Sequence, residues 1–187
     1  PADQQDAYDM VFDGFELSEK IKLPVMIRIT TRMAHSRAPV NLKDRRTPQN
    51  ILKIPSDPVQ FVLLPAIARK HYKELLRTYD NVCFEERVSR YNRFTDGRNR
   101  KLGVIACGIT INYLRENFQN GKPDLPVAQI SAYPVNSELI KDIYHRCEEL
   151  LVLEEGYPLL EESLRGIIND GKIIHGRLNG ALPRDGE

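Results

Sequence analysis

Leu102-Gly103-Val104-Ile105-Ala106 is a short apolar run followed by Gly108 and then by Ile111, Leu114 and Phe118 at helical spacing. The same unit recurs down the chain. Val127-Ala128-Gln129-Ile130 precedes Leu139, Ile143 and Cys147, and Leu150-Leu151-Val152-Leu153-Glu154 precedes Leu160, Leu164, Ile167 and Ile168. Lys172-Ile173-Ile174 closes the series. The runs start near 102, 127, 150 and 172, so they lie 25, 23 and 22 residues apart. That is the length of a strand plus a crossover helix, and apolar runs with little alternation suit strands covered on both faces. The expected fold class is α/β: a three-layer, parallel or mostly parallel sheet with helices on both sides.

Working outward, Pro65 suits the first turn of a helix on which Ile67, Ala68, Tyr72, Leu75, Leu76, Tyr79, Val82 and Cys83 return to one face. This helix is expected to break near Asp80-Asn81 and resume toward Val88, and the polar stretch 92–101 reads as a solvent-facing loop. Residues 37–64 lose periodicity and carry Ala38-Pro39, Thr47-Pro48, Ile54-Pro55 and Asp57-Pro58, which describes an extended connector. Before it, residues 6–20 read as a helix with Tyr8, Val11, Phe12, Phe15 and Leu17 as its apolar stripe. Pro24 then leads into Val25–Arg32, dense in β-branched residues and expected to be a strand. One helix and one strand cannot bury themselves, so this segment must pack on the rest of the chain or on something outside it. The glycine- and proline-bearing end, 177–187, reads as a linker.

The 187 residues carry 27 Lys plus Arg against 26 Asp plus Glu, a formal net charge of +1. That balance argues against global attraction to nucleic acid or an anionic membrane. No stretch reaches 18 apolar residues, and the first residues lack a basic-then-apolar leader pattern. Cys83, Cys107 and Cys147 form no CxxC and are too far apart in sequence for a disulfide framework, which suits reduced thiols in a cytoplasmic protein.

The candidate chemical residues are individually weak. Gly108 follows a strand and opens a helix, but Ala106-Cys107-Gly108-Ile109-Thr110-Ile111 is neither a dinucleotide nor a P-loop signature, so a tight turn is the expected role. Cys107 stands at the carboxyl end of a strand, where open α/β sheets bind ligands, but no base is apparent nearby, so it reads as a packed thiol. Glu154 and Glu155 are adjacent and point apart if the strand continues; capping of the next helix or pairing with an arginine is expected. Glu161 and Glu162 suit a helix start. The basic set Arg28, Arg32, Arg37, Lys43, Arg45 and Arg46 reads as linker or interface pairing. His35, His71, His145 and His175 show no metal-ligand spacing. No catalytic, cofactor-binding or metal-binding residue is assigned.

Several strings, taken in order, resemble the alpha subunits of indolepyruvate ferredoxin oxidoreductases. They begin with Ala7-Tyr8-Asp9, Phe15-Glu16-Leu17-Ser18-Glu19, Leu23-Pro24-Val25-Met26-Ile27-Arg28 and Thr30-Thr31-Arg32-Met33-Ala34-His35-Ser36. They continue with Leu102-Gly103-Val104-Ile105-Ala106-Cys107-Gly108-Ile109, Val152-Leu153-Glu154-Glu155-Gly156, Glu161-Glu162, Gly176, Gly180-Ala181-Leu182-Pro183 and Gly186-Glu187. Cys107 stands where the family usually has serine. The resemblance implies that 1–36 is the end of a pyrimidine-binding domain, 37–64 a connector, 65–176 a domain like the transketolase C-terminal domain, and 177–187 a linker toward a further domain. It also implies a parent enzyme that uses thiamine diphosphate, magnesium, iron–sulfur clusters and coenzyme A to decarboxylate arylpyruvates oxidatively, with a second (beta) subunit and ferredoxin as partners. The Gly-Asp-Gly signature is missing here: Asp96-Gly97, Asp170-Gly171 and Asp185-Gly186 each lack the preceding glycine. The expectation is therefore an internal fragment that binds none of these cofactors alone. A freestanding α/β protein binding a nucleotide or phosphometabolite, and a non-catalytic interaction module, are the other two readings.

Overall fold

The computed structural model of the chain describes residues 1–45, 53–54, 56–118, 120, 122–164 and 171–183. A five-stranded sheet runs in the order β1 (Asn92–Thr95), β3 (Val127–Ile130), β2 (Leu102–Cys107), β4 (Glu149–Leu153), β5 (Ile174–His175). All neighbours are parallel except β1, which pairs antiparallel with β3. The chain leaves β2 through α5 (Thr110–Glu116) to reach β3 on one side, then crosses back through α6 (Ser137–Arg146) to β4 on the other. The side-chain period of two explains the layers. Val104 and Ala106 of β2 pack with Ile111 and Leu114 of α5, whereas Ile105 packs with Ile140 and Ile143 of α6 and with Leu160 and Leu164 of α7 (Leu159–Leu164). The mostly parallel, doubly covered sheet expected from the sequence is present, with strand starts at 102 and 127 as read and the next two within two residues.

Gly103 shows how tightly the α6 face is filled. A Cβ there would stand 2.6 Å from Cys147 Sγ and 3.2 Å from Ile143 Cγ1, so the buried thiol occupies the space a side chain would need. Cys147 is thus the packed thiol, on the evidence of its neighbours.

Four readings need correction. Residues 92–101 are not wholly a loop, because 92–95 form β1. Its selection depends less on apolar alternation than on one side chain: Asn92 Oδ1 accepts from Ser131 N and Ala132 N at 2.9 and 3.0 Å, and Asn92 Nδ2 donates to Ala132 O at 2.9 Å. Val25–Arg32 is not a strand. Residues 24–30 run without regular structure and find no ladder partner, and Thr30 caps a short α2 (Thr31–His35) by accepting from Met33 N. The first helix, α1 (Gln4–Ile21), forms as expected, but of its expected apolar stripe only Leu17 is buried. Asp6, Met10, Asp13 and Leu17 point inward, while Phe15 is 73% exposed and Val11 lies outward as well. α3 (Pro65–Val82) begins at Pro65 as expected, yet its apolar face is not core: Tyr72, Leu75, Leu76 and Tyr79 are exposed and only Val82 is buried, against Leu17 and Val88. Ile167, Ile168, Arg46, Thr47-Pro48, Pro55, Asp170 and Asp185-Gly186 lie outside the described residues.

Gly103→Ala is expected to destabilise the chain by about 1–3 kcal/mol through overpacking. Adding Cys147→Ala should recover part of that loss, because it removes the nearest obstructing atom. Urea denaturation of the two single variants and the double variant measures this, and the expected sign is a favourable coupling between the substitutions.

Candidate functional site

In open parallel sheets, ligands settle outside the carboxyl ends of the strands where successive connections leave in opposite directions. Here that point lies between β2, whose chain leaves toward β3, and β4, whose chain leaves toward β5. A cleft of about 430 Å³ opens there. Its sheet-side wall includes Cys107, Gly108, Ile130, Glu154 and Glu155, and its other wall comes from α1 and the extended residues 25–30. Residues 25–30 have strand-like composition, but they serve as cleft wall instead of sheet.

Each element delivers its side chains for a local reason. Gly108 turns the chain out of β2 with φ +56°, and its N–H donates to Ile130 O at 2.8 Å. Thr110, at the start of α5, donates from Oγ1 toward Cys107 O (3.0 Å) or Leu153 O (2.9 Å), which ties the ends of β2 and β4 together. Burial pushes the Cys107 thiol well above the ordinary range, with the nearby Glu154 carboxylate adding to the effect. That is the setting of an inert thiol. Burial likewise raises the Tyr133 hydroxyl.

The two glutamates behave as their adjacency in sequence requires. Glu154 turns toward α7 and accepts from Leu160 N at 2.8 Å and Glu161 N at 3.0 Å, a bidentate cap on the helix start. Burial raises its carboxyl above the ordinary value of 4.5, with the two amide bonds opposing. Glu155 turns the other way. Its Oε1 lies 3.4 Å from Arg32 Nε and accepts from Tyr113 Oη at 3.2 Å, and the Arg32 guanidinium also stands over the Tyr113 ring at 5.3 Å. Glu161 does more than favour a helix start: its carboxylate is buried and accepts from Leu178 N at 2.9 Å. Glu162 accepts from Tyr157 Oη at 2.7 Å.

The structure thus brings together Arg28, Cys107, Gly108, Glu154 and Glu155 on the cleft, with Arg32 paired to Glu155 and Glu161 bonded to Glu154 behind it. Lys43 pairs with Asp9 at 2.7 Å on α1, and Arg37 and Arg45 are exposed. His35 ends α2, His71 is on α3, and His145 lies edge-on to Tyr144. His175 bonds Glu149 at 3.0 Å, at the opposite end of β4 from the cleft. Among the described residues, no three His, Cys, Asp or Glu side chains are placed to hold a metal ion, and no helix is long and apolar enough to cross a membrane. The sequence reading missed Asp13, Ser131 and Tyr133 on the cleft wall and Tyr113 behind Glu155. Only Asp13 left a trace, in the Asp6, Asp9, Asp13 and Glu16 spacing along one helix.

No family model matches the chain. It is 31% identical over 188 aligned residues to the indolepyruvate oxidoreductase subunit IorA of Methanothermobacter thermautotrophicus, covering 98% of this chain and 30% of that protein. The subunits IorA of Archaeoglobus fulgidus and Pyrococcus abyssi are 30% and 31% identical over 189 residues, with 100% and 95% of this chain and 30% and 29% of theirs covered. The chain is therefore homologous to a segment of that subunit and spans about 30% of the length of these relatives. A solved 2-oxoglutarate:ferredoxin oxidoreductase from Magnetococcus marinus superposes on 62% of this chain and 21% of its own, at 15% identity and a TM-score of 0.48.

Glu154→Gln should weaken the α7 cap by about 1 kcal/mol, because the amide oxygen accepts one N–H where the carboxylate accepts two. A carboxyl raised by burial binds its proton more tightly folded than unfolded. Its contribution therefore makes stability fall as pH rises from 4.5 through the raised folded value. Urea melts across pH 4.5–7 should show this component of the slope in the parent chain and not in Glu154→Gln.

Proposed function

We propose that this chain is a non-catalytic structural and assembly segment of a thiamine-diphosphate-dependent indolepyruvate (arylpyruvate):ferredoxin oxidoreductase. The observation that carries the reading is the form of the similarity: it runs through 98% of this chain and takes up 30% of the relative. In this reading, 1–36 closes a pyrimidine-binding domain, 37–64 crosses between domains, 65–176 is the α/β domain, and 177–187 leads onward. The whole cytoplasmic enzyme decarboxylates its 2-oxoacid to an acyl-coenzyme A and reduces ferredoxin. Its partners are the rest of the polypeptide, a second subunit and ferredoxin, with no role for nucleic acid or membrane.

At Asp96-Gly97, among the described residues, the side chains do not fit the cofactor of such an enzyme. A magnesium-bound diphosphate needs free carboxylate and amide oxygens beside an open glycine turn. The Asp96 carboxylate is instead held by Arg100 at 2.5 and 3.0 Å and by Arg146 at 3.3 Å, and these arginines, Arg100 foremost, keep its pKa below the usual range. A Cβ on Gly97 would come within 2.4 Å of the Leu125 backbone, so that turn is closed by protein. What the chain offers the parent is surface. Met26 is 91% exposed, and Phe15, Ile29, Phe61, Leu63 and Tyr72, Leu75, Leu76 and Tyr79 of α3 are exposed as well. Apolar exposure on this scale marks interaction surface.

Calorimetry of the isolated chain with thiamine diphosphate and magnesium is expected to give no saturable heat, whereas the full-length polypeptide from the same gene should bind. Micromolar binding by the isolated chain would place the cofactor site here and overturn the assignment.

A further inference from the structure

Beyond β5 the chain turns through residues 176–182, and the turn is built around the side-chain amide of Asn179. Its Oδ1 accepts from Gly176 N at 3.0 Å and from Ala181 N at 3.2 Å. Its Nδ2 lies 3.4 Å from His175 Nδ1, and His175 Nε2 lies 3.0 Å from Glu149 Oε2. Two backbone donors require the oxygen at that end of the amide, so the nitrogen faces the imidazole. Leu182 N returns to Gly176 O at 3.2 Å, and Leu178 N donates to the buried Glu161 carboxylate at 2.9 Å, which ties down both arms of the turn. Asn179 and Gly180 themselves are exposed.

Each contact bears on one reaction of an Asn-Gly pair. The peptide nitrogen of the glycine can attack the side-chain amide carbon of the asparagine before it, and negative charge then gathers on Oδ1. Two N–H groups aimed at that oxygen stabilise the charge. The bond that must break is Cγ–Nδ2, and the departing nitrogen needs a proton. An imidazole held by a carboxylate on its far nitrogen is placed to supply one near neutral pH. The attacking residue, Gly180, has φ +80° and no side chain to crowd its nitrogen, and even a Cβ there would meet open space. Exposure admits the water that completes the sequence.

The geometry points to Asn179 as a site of self-modification: the chain converts it to aspartate and isoaspartate, with His175, Glu149 and the amides of Gly176 and Ala181 as the promoting groups. The Gly180 nitrogen loses its proton to solvent and bonds to Cγ. Nδ2 takes a proton from His175, which regains one from solvent, and leaves as ammonia. The resulting succinimide adds one water and opens at either carbonyl. Opening at the backbone carbonyl leaves isoaspartate, which adds a methylene to the main chain just after β5. The net change is one water taken up and one ammonia released, with no change in oxidation state. Nothing in this chemistry depends on which enzyme the chain belongs to.

Asn120-Gly121 is the same dipeptide elsewhere in the chain, and among the described residues no histidine bonds Asn120, so it serves as an internal reference. The purified chain is incubated near neutral pH, folded or in urea. Peptide mass spectrometry and isoaspartyl methyltransferase labelling follow each Asn-Gly pair. The ratio of the Asn179 rate to the Asn120 rate should be about one in urea and about tenfold higher in the folded chain, with Asn179 itself faster folded than unfolded. His175→Ala should lower the folded ratio by about tenfold, and added imidazole should restore part of it. Circular dichroism verifies the fold of that variant, and the comparison of the parent chain with and without urea stands without it. Equal ratios in both conditions, a slower Asn179 in the folded chain, or a folded His175→Ala that keeps the parent rate would each overturn the proposal.

Discussion

A row of ion pairs along α1 holds this structure together at its functional end. Asp13 meets Arg90 and Tyr91, Glu16 meets Arg87, Lys20 meets Glu85 at 2.5 Å, and Asp6 reaches Arg93 at 4.0 Å. The partners come from residues 85–93, which span α4 (Glu86–Ser89) and the start of β1. Between the charges, Met10 and Leu17 supply the apolar contact, with Leu17 against Val82 and Val88. Exposed ion pairs contribute little singly. Asp13 differs because its side chain is only 8% exposed, so removing its partner would leave a charge in a poorly solvated place. Burial and the bond to Asp13 both raise the Tyr91 hydroxyl, which keeps it a donor throughout the ordinary pH range.

The cleft follows from that docking. Without α1 held across the strand ends, residues 25–30 would have no support, and the carboxyl ends of β2, β3 and β4 would face solvent. Arg32 reinforces the closure from the other end of the segment through Glu155 and the Tyr113 ring. Ala2, buried against Val104 and Val127, ties the first residues to the core of the α5 layer. The N-terminal segment is therefore integral to the sheet on one side and exposes Phe15 and Met26 on the other.

The sheet was legible because buried parallel strands have a one-dimensional signature: apolar runs at a repeat set by the crossover helix. Gly108 and the divergent roles of Glu154 and Glu155 were legible too, since strand geometry sends adjacent side chains opposite ways. β1 was not, because its place depends on Asn92 bonding to Ser131 and Ala132, residues nearly forty positions away. Val25–Ile29 carries strand propensity, but a strand exists only where it pairs with another, and among the described residues this segment pairs with none. The face of α1 was misjudged for a related reason. The stripe of Tyr8, Val11, Phe12, Phe15 and Leu17 was assigned inward, whereas Asp6 and Asp13 turn inward to face arginines that the pattern of α1 alone cannot reveal.

Hydrogen exchange of the parent chain and of Asp13→Asn tests the central claim that the charge row makes α1 part of the same cooperative unit as the sheet. In the parent chain, the amides of Met10–Leu17 should exchange as slowly as those of β2 and β4. In Asp13→Asn, they should exchange faster while β2 and β4 keep their protection. Rapid exchange along α1 in the parent chain, beside a protected sheet, would contradict the account and detach the cleft from the fold.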